Sequence, residues 1–479
     1  MPVKQKVLCV DCDGTLIKTD LLLESVAKIL IRNPLRIIPI LVWCLQGRNI
    51  LKSRITELIS LNPASLPYRG DFLDFLLTKK SEGWKIFLTT AADERHAEGI
   101  CSHLKIFDGY FASNTERNLK GTIKEELLVR EFGKRGFDYA GDAECDLAVW
   151  GAADVAIPVG RSAGFARKVA AVNPKVEPFA QAEPSLKHWF HLIRFHQWAK
   201  NLIIFVPLLT SHQILNIAHL LDSLAAFVSL SFVASATYIV NDLFDLDHDR
   251  AHKTKKLRPL ASGAVGIPGA MALALVLLVA GASIAAFLPV VFWLCLVVYV
   301  AVTLSYSFCL KKIAIIDAIV LAGLYTLRLL VGHAATGVPI SVWLLAFSIF
   351  LFFSLALVKR FVEIGDLKEQ SSNSEAIKGR GYCADDYWLV GSLGVSCGGL
   401  SVLVLILYVN SPEVRILYSS PLLLMLLAPI FLYWIGRVWL LAARGRMNED
   451  PVLFALRDKA SYAVGLVTLL VIFLASGGK

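Results

Sequence analysis

Two patterns of apolar residues divide the chain. Before residue 172 the apolar runs are short and end in polar residues, as in Val7-Leu8-Cys9-Val10, Ile86-Phe87-Leu88 and Tyr139-Ala140. Runs of this length, bounded by turns, read as buried strands of an α/β domain. From Trp189 onward the runs lengthen. Nine reach spanning length, near 196–211, 220–241, 267–288, 290–310, 314–335, 341–359, 387–409, 417–441 and 460–477; the first is short and interrupted by Lys200 and Asn201. Between the two patterns, Asn173 to Pro184 carries three prolines and mixed charge, as a linker does. The chain therefore reads as a soluble domain over 1–172, a linker over 173–187 and an all-α, nine-helix membrane domain over 188–479.

Composition supports this division. The chain has 479 residues, is 56% hydrophobic and only 18% charged, with mean hydropathy +0.60. These values exclude one soluble domain and exclude disorder. The net charge of +9 would suit nucleic acid until the cations are placed. Arg250, Lys253, Lys255, Lys256 and Arg258 follow the second run, and Lys311 and Lys312 the fourth. Lys359, Arg360, Lys368, Lys378 and Arg380 follow the sixth; Arg444, Arg446, Arg457 and Lys459 follow the eighth. The loops after odd-numbered runs are almost free of cations, Arg415 excepted. This alternation is a membrane-orientation signal, and no nucleic-acid partner is expected. It puts the even connections and the N-terminal domain in the cytoplasm and the C-terminus outside. Met1 to Val10 has no long apolar core, so no signal peptide is expected.

The first candidate chemistry follows the first strand, in Asp11-Cys12-Asp13-Gly14-Thr15. Alternation along a strand sends Asp11 and Asp13 to the same side, and Gly14 lets the chain turn. Paired carboxylates at a strand end suit magnesium. One can attack phosphorus while the other handles the leaving-group proton. Thr89-Thr90 ends a second strand, Lys124 follows Gly121, and Asp142 ends a third strand with Asp146 four residues on. Cys9 and Cys12 form a lone CxxC without a second ligand pair, so zinc is not expected.

With these segments in this order, the first 170 residues or so resemble the haloacid dehalogenase (HAD) superfamily of phosphohydrolases. The resemblance implies a Rossmann-like sheet with a helical cap. It implies Asp11 as nucleophile and Asp13 as general acid/base. Thr90, or failing it Thr89, would bind the phosphoryl group, and Lys124 rather than Lys120 would neutralise it. Asp11, Asp13, Asp142 and Asp146 would form the magnesium site. Between Thr19 and Trp84 lies the expected cap. Its segment Leu35 to Leu45 is apolar, too short to span and interrupted by Pro39. It reads as a buried cap helix, with a helix lying on the membrane interface as the alternative.

The second candidate chemistry ends the second long run, in Asn241-Asp242-Leu243-Phe244-Asp245-Leu246-Asp247-His248-Asp249. Asn241, Asp245 and Asp249 recur every four residues, so a continuing helix stacks them on one face. Carboxylates at a membrane surface call for cations, and magnesium pyrophosphate supplies them. Lys256 and Arg258 follow as phosphate partners. Here, over roughly 188–479, the chain resembles the UbiA superfamily of intramembrane prenyltransferases. Tyr306-Ser307-Phe308-Cys309-Leu310-Lys311, then Asp317, Tyr325 and Arg328, match a second pattern of that family. The resemblance implies metal binding by Asp242, Asp245 and Asp249 and catalysis by Asn241, Asp245 and Asp249.

One departure bears on substrate. Members that prenylate aromatic rings usually carry a second DxxxD motif after the sixth helix. Here the place reads Lys359-Arg360-Phe361-Val362-Glu363-Ile364-Gly365-Asp366. This is similar to the branch that transfers phosphoribose to decaprenyl phosphate in mycobacterial cell-wall synthesis. That resemblance implies phosphoribosyl pyrophosphate and a polyprenyl phosphate as substrates, at the cytoplasmic membrane of a bacterium. Arg258, Lys311, Tyr325, Arg328, Lys359, Arg360 and Glu363 would line the phosphate-binding site. An intramembrane arginine such as Arg328 is a functional candidate in its own right. The alternatives are prenyl transfer to an aromatic acceptor, and a transporter or scaffold with a phosphatase head. No internal repeat of the transporter kind is visible.

Overall fold

The computed structural model describes residues 5–114, 117–160, 163–179, 185–252, 254–370, 380–447, 451–455 and 457–477. Residues 180–184 of the expected linker, Lys253 and Lys378 lie outside them. The chain forms two compact units: Met1–Ile193 with Ile239–Leu273, and Arg194–Tyr238 with Ala274–Lys479.

The first unit is built on a five-stranded parallel sheet, β1 (Val7–Val10), β2 (Lys85–Asp93), β3 (Gly109–Ser113), β4 (Asp138–Gly141) and β5 (Ala156–Pro158). The strand order is β3-β2-β1-β4-β5, with Val10 facing Leu88 on one side and Ala140 on the other. Both faces are apolar, as a parallel sheet requires. Leu8, Val10, Ile86 and Leu88 pack into one core layer and Cys9, Tyr139, Trp150 and Phe165 into the other. Cys9 and Cys12 belong to opposite layers and are free thiols. The strand order reverses direction from β1, where the crevice of an open parallel sheet forms beyond the carboxyl ends.

The insert after β1 folds as α1 (Leu21–Arg32), α2 (Ile37–Gln46) and α3 (Arg48–Leu58). Ile29, Ile40, Leu51, Ile55 and Ile59 form its core. The expectation of a buried α2 is not met. Of its apolar residues only Ile40 is buried, and Leu35, Ile38, Leu41 and Leu45 are exposed. Too few neighbours surround a three-helix insert to cover a helix that is apolar all round. Residues 239–273 belong to the same unit. Glu24 of α1 forms an ion pair with Arg250, and Lys28 one with Asp247 at 2.8 Å.

The second unit is helical. In the whole chain, eight helices among the described residues are long and apolar enough to cross a membrane: Ile217–Phe244, Ile267–Ala285, Val290–Phe308, Ile316–Thr336, Val342–Lys368, Ala384–Val409, Pro421–Ala443 and Lys459–Ser476. The ninth expected run differs. It forms a 3-10 stretch, Phe195–Phe205, and a short helix, Val206–Thr210. Two causes are visible. Pro207 cannot donate to a preceding carbonyl, and Lys200 and Asn201 are buried, with Asn201 bonding to Ser231 rather than to water. A 3-10 helix rises about 2.0 Å per residue against about 1.5 Å, so this segment extends about 30 Å, the thickness of a hydrocarbon core. Small residues bring helices close. A Cβ on Gly394 would meet Trp439 at 2.1 Å, and Ser354 donates to the Gly394 carbonyl at 2.7 Å. That matches how membrane helices pack.

Candidate functional site

At the carboxyl ends of β1 and β4 three carboxylates converge. Asp11, Asp142 and Asp146 each offer an oxygen, and these lie within 4.8 Å of one another. Lys124, in the first turn of the helix Thr122–Phe132, reaches in between. Its Nζ lies 3.1 Å from Asp11 and 3.5 Å from Asp146, and it donates to the Tyr139 hydroxyl at 2.8 Å. Lys120 is exposed. Gly14 has φ +73°, and a Cβ there would meet Asp142 Oδ2 at 2.1 Å, so only glycine lets that carboxylate approach the loop. Arg69 clamps the same loop by donating to the Gly14 carbonyl.

This donor set fits a hard divalent cation. Asp146 Oδ2 is buried with no hydrogen-bond partner, a costly state that a metal would relieve. Asp13, also expected among the ligands, is not part of this group. Its Oδ1 accepts the Leu21 amide at 2.9 Å, because the chain turns at Gly14 and the start of α1 comes back over it. Burial pushes Asp11 up to about 6, against the opposing pull of Lys124. Burial first, then Asp20, raises Asp13 well above the usual carboxylate range, which suits a group that must hold a proton. Thr89 and Thr90 are both fully buried. Thr90 Oγ1 accepts the Ala92 amide at 3.0 Å in the C-terminal half of β2.

The second cluster follows the span ending at Phe244. The helical ladder continues through the break at Asp245, with amide bonds from Asp245 to Asn241 and from Asp249 to Asp245. The four-residue spacing therefore places Asn241 Nδ2 3.2 Å from Asp245 Oδ2. Asp242 and Asp249 are both held by Arg258, at 3.1 and 2.6 Å. Among the described residues the Asp-rich carboxylates do not form a three-ligand group, and Arg258 pairs with Asp242 and Asp249. The Arg258 guanidinium between Asp242 and Asp249 offsets their mutual repulsion, and their hard carboxylate oxygens suit magnesium.

In the second unit the remaining candidates fall into two groups. Arg328 is buried, and its Nε donates to Asn201 Oδ1 at 2.8 Å. It lies over the rings of Tyr299 and Tyr325, and Lys200 lies over Tyr325 at 5.7 Å. Arg360 is fully buried between Asp317 and Glu363, both at 2.5 Å, and donates to the Tyr306 hydroxyl at 3.1 Å. Arg380 joins the same group, 3.0 Å from Tyr306 and 3.4 Å from Asp317. Tyr382 donates to Asp317 at 2.6 Å and accepts the Ile315 amide at 2.8 Å. Ile315 holds φ +66°, a strained value for a β-branched residue and one that marks functional turns. Lys311 and Lys359 are half-buried.

Residues 202–457 match the UbiA prenyltransferase family, more than half of the chain. The chain belongs to the UbiA family. Its relatives include the uncharacterised protein y4nM of Sinorhizobium fredii, 37% identical over 96% of this chain and 89% of that one. Another is the decaprenyl-phosphate phosphoribosyltransferase of Corynebacterium glutamicum, 36% identical over 36% of this chain and 53% of that protein. Among solved structures, a UbiA homologue from Archaeoglobus fulgidus bound to GPP and Mg2+ aligns over 60% of this chain and 99% of that one, at 14% identity and TM-score 0.45. The UbiA match covers the Asp-rich segment, Arg328 and the Arg360 group and leaves the N-terminal sheet to be judged on its own geometry. Arg380, Tyr299 and Asn201 carry weight in the UbiA domain that their sequence positions did not show. Asn201 and the adjacent Lys200 left one signal, a polar pair inside an apolar run.

Proposed function

We propose that the membrane domain transfers 5-phosphoribose from phosphoribosyl pyrophosphate to a polyprenyl phosphate. The N-terminal domain then removes the 5′-phosphate of the product. The observation that carries the first half is the Arg360 cluster. At this place Arg360 and Arg380 gather on Asp317 and Glu363, with Lys359 next in the chain. Fixed cations suit a donor and an acceptor that together bring several phosphates. The similarity to decaprenyl-phosphate phosphoribosyltransferases points the same way.

In the transfer, a phosphate oxygen of the lipid forms a bond to ribose C1 as the bond from C1 to pyrophosphate breaks. Asn241, Asp242, Asp245 and Asp249 would hold magnesium, which lowers the charge of the departing pyrophosphate. Tyr325 and Arg328 orient one phosphate. Lys311, Lys359 and the Arg360–Glu363 pair orient the others. Arg258 exchanges its carboxylates for pyrophosphate oxygens when the donor binds.

In the hydrolysis, Asp11 attacks the 5′-phosphorus and the ribose oxygen leaves with the proton of Asp13. Asp13 then takes a proton from the water that cleaves the aspartyl phosphate. Lys124 and Thr90 hold the phosphoryl oxygens, and Asp142 and Asp146 complete a divalent-metal site with Asp11. An aromatic prenyltransferase would leave its product without a phosphate for this second site.

Membranes given ribose-labelled phosphoribosyl pyrophosphate and polyprenyl phosphate test the reading. Label is expected in the lipid phase. Label entering lipid only from a prenyl diphosphate with an aromatic acid would replace this reading with ring prenylation.

A further inference from the structure

We propose that α2 lies on the bilayer interface and anchors the cap of the N-terminal domain to anionic lipid. Leu35, just before α2, is 75% exposed, and within the helix Ile38 is 63%, Leu41 58% and Leu45 89% exposed. Spaced three to four residues apart, these four form one stripe along the helix. Val42 and Cys44 are exposed beside it. An apolar stripe facing water is costly, and α2 has no charged residue of its own to soften it.

The occupant is indicated by charge and by position. From Ser25 to Thr56 the chain carries six lysines and arginines and no acidic residue, of which Lys28 and Arg54 pair with Asp247 and Glu57 and Lys52 donates to the Ala91 carbonyl. Arg32, which ends α1, and Arg36, the residue before α2, are exposed. Cations beside an apolar stripe recognise anionic headgroups above acyl chains. A protein partner would meet the same stripe without needing this one-sided charge. The cap is also tied to the segment after Phe244 within its own unit. Glu24 and Lys28 of α1 pair with Arg250 and Asp247, which follow directly on the span ending at Phe244.

The inference does not depend on which phosphate the domain hydrolyses. Its test is the full-length protein with photoreactive benzoylphenylalanine in place of Leu45, in nanodiscs of phosphatidylglycerol and phosphatidylcholine. Leu77, an exposed leucine of the helix Gly70–Ser81, serves as the control position. Lipid adducts at 45 are expected at least tenfold above those at 77, with yield falling severalfold when phosphatidylglycerol is omitted. Adducts to a second copy of the chain, or lipid adducts no more frequent than at 77, overturn the proposal. A second measurement uses Ile38→Asp with Leu41→Asp. Hydrolysis of a phosphomonoester lipid in anionic vesicles should drop at least tenfold while p-nitrophenyl phosphate is hydrolysed at the wild-type rate. Equal loss on both substrates, or on neither, contradicts the anchor.

Discussion

Arg328 is the residue at which charge, burial and ring stacking meet in the transferase domain. Its guanidinium spends its donors on Asn201, the Leu324 carbonyl and Tyr299, and two rings flank it. Arg328→Lys keeps the charge but loses the planar fork and leaves Asn201 Oδ1 short of a donor. A lost buried hydrogen bond costs about 1–3 kcal/mol. Phosphoribosyl transfer should fall at least tenfold in proteoliposomes with insertion intact; a rate within twofold of wild type would assign Arg328 to packing alone. Asp138 gives a test of different character. It is buried at the start of β4, accepts the Val155 amide at 3.2 Å, and burial pushes it up to about 6. A folded-state value above the unfolded one means the protonated form is favoured by folding. That stability is present below about pH 4 and is lost as pH rises through about 6. Asp138→Asn keeps an acceptor for Val155 and removes the loss. It should raise the N-terminal domain's thermal midpoint by a few degrees at pH 7 and by less at pH 4. An equal change at both pH values would show that ionisation is not involved.

Elements were legible where periodicity or a strand-end motif fixed them. The strands that end just before Asp11 and Asp142, and the eight regular spans, follow from local pattern. What pattern leaves open is whether an apolar face finds a partner. The residues of α2 read equally as core or as surface, and only the small size of the insert decides. The 196–211 run shows a second limit: hydropathy registers Pro207 weakly and cannot see that Asn201 is drawn to Ser231 and Arg328 across the fold. Pairs far apart in sequence stayed hidden for the same reason. Arg380 reads as one more loop cation until Asp317 and Tyr306 surround it. Glu24 reads as a first-turn acid on α1, yet it is buried against Arg250. Breaking such a pair leaves a charge uncompensated and costs about 3–5 kcal/mol. Glu24→Ala should therefore lower the N-terminal domain's thermal midpoint by several degrees, read by thermal unfolding in detergent. Arg250→Ala should do the same, and the double variant should recover part of the loss. Two additive losses would mean that Glu24 and Arg250 act independently.

On the proposed reading the whole molecule would join two chemistries that make sense in sequence. Phosphoribosyl transfer would leave a lipid-linked sugar that still bears its 5′-phosphate, and a carboxylate cluster that suits a divalent cation lies in the same chain. Covalent linkage raises the local concentration of one site near the other's product to roughly millimolar, which makes sequential action efficient without a dedicated channel. The most direct test uses the Asp11→Asn variant of the full chain, reconstituted in proteoliposomes with magnesium, labelled phosphoribosyl pyrophosphate and polyprenyl phosphate. The wild-type protein should yield labelled lipid without the 5′-phosphate. Asp11→Asn should transfer label at the wild-type rate and accumulate the phosphorylated lipid. Dephosphorylated lipid formed by the variant at the normal rate, or no labelled lipid from the wild-type protein, would contradict the account.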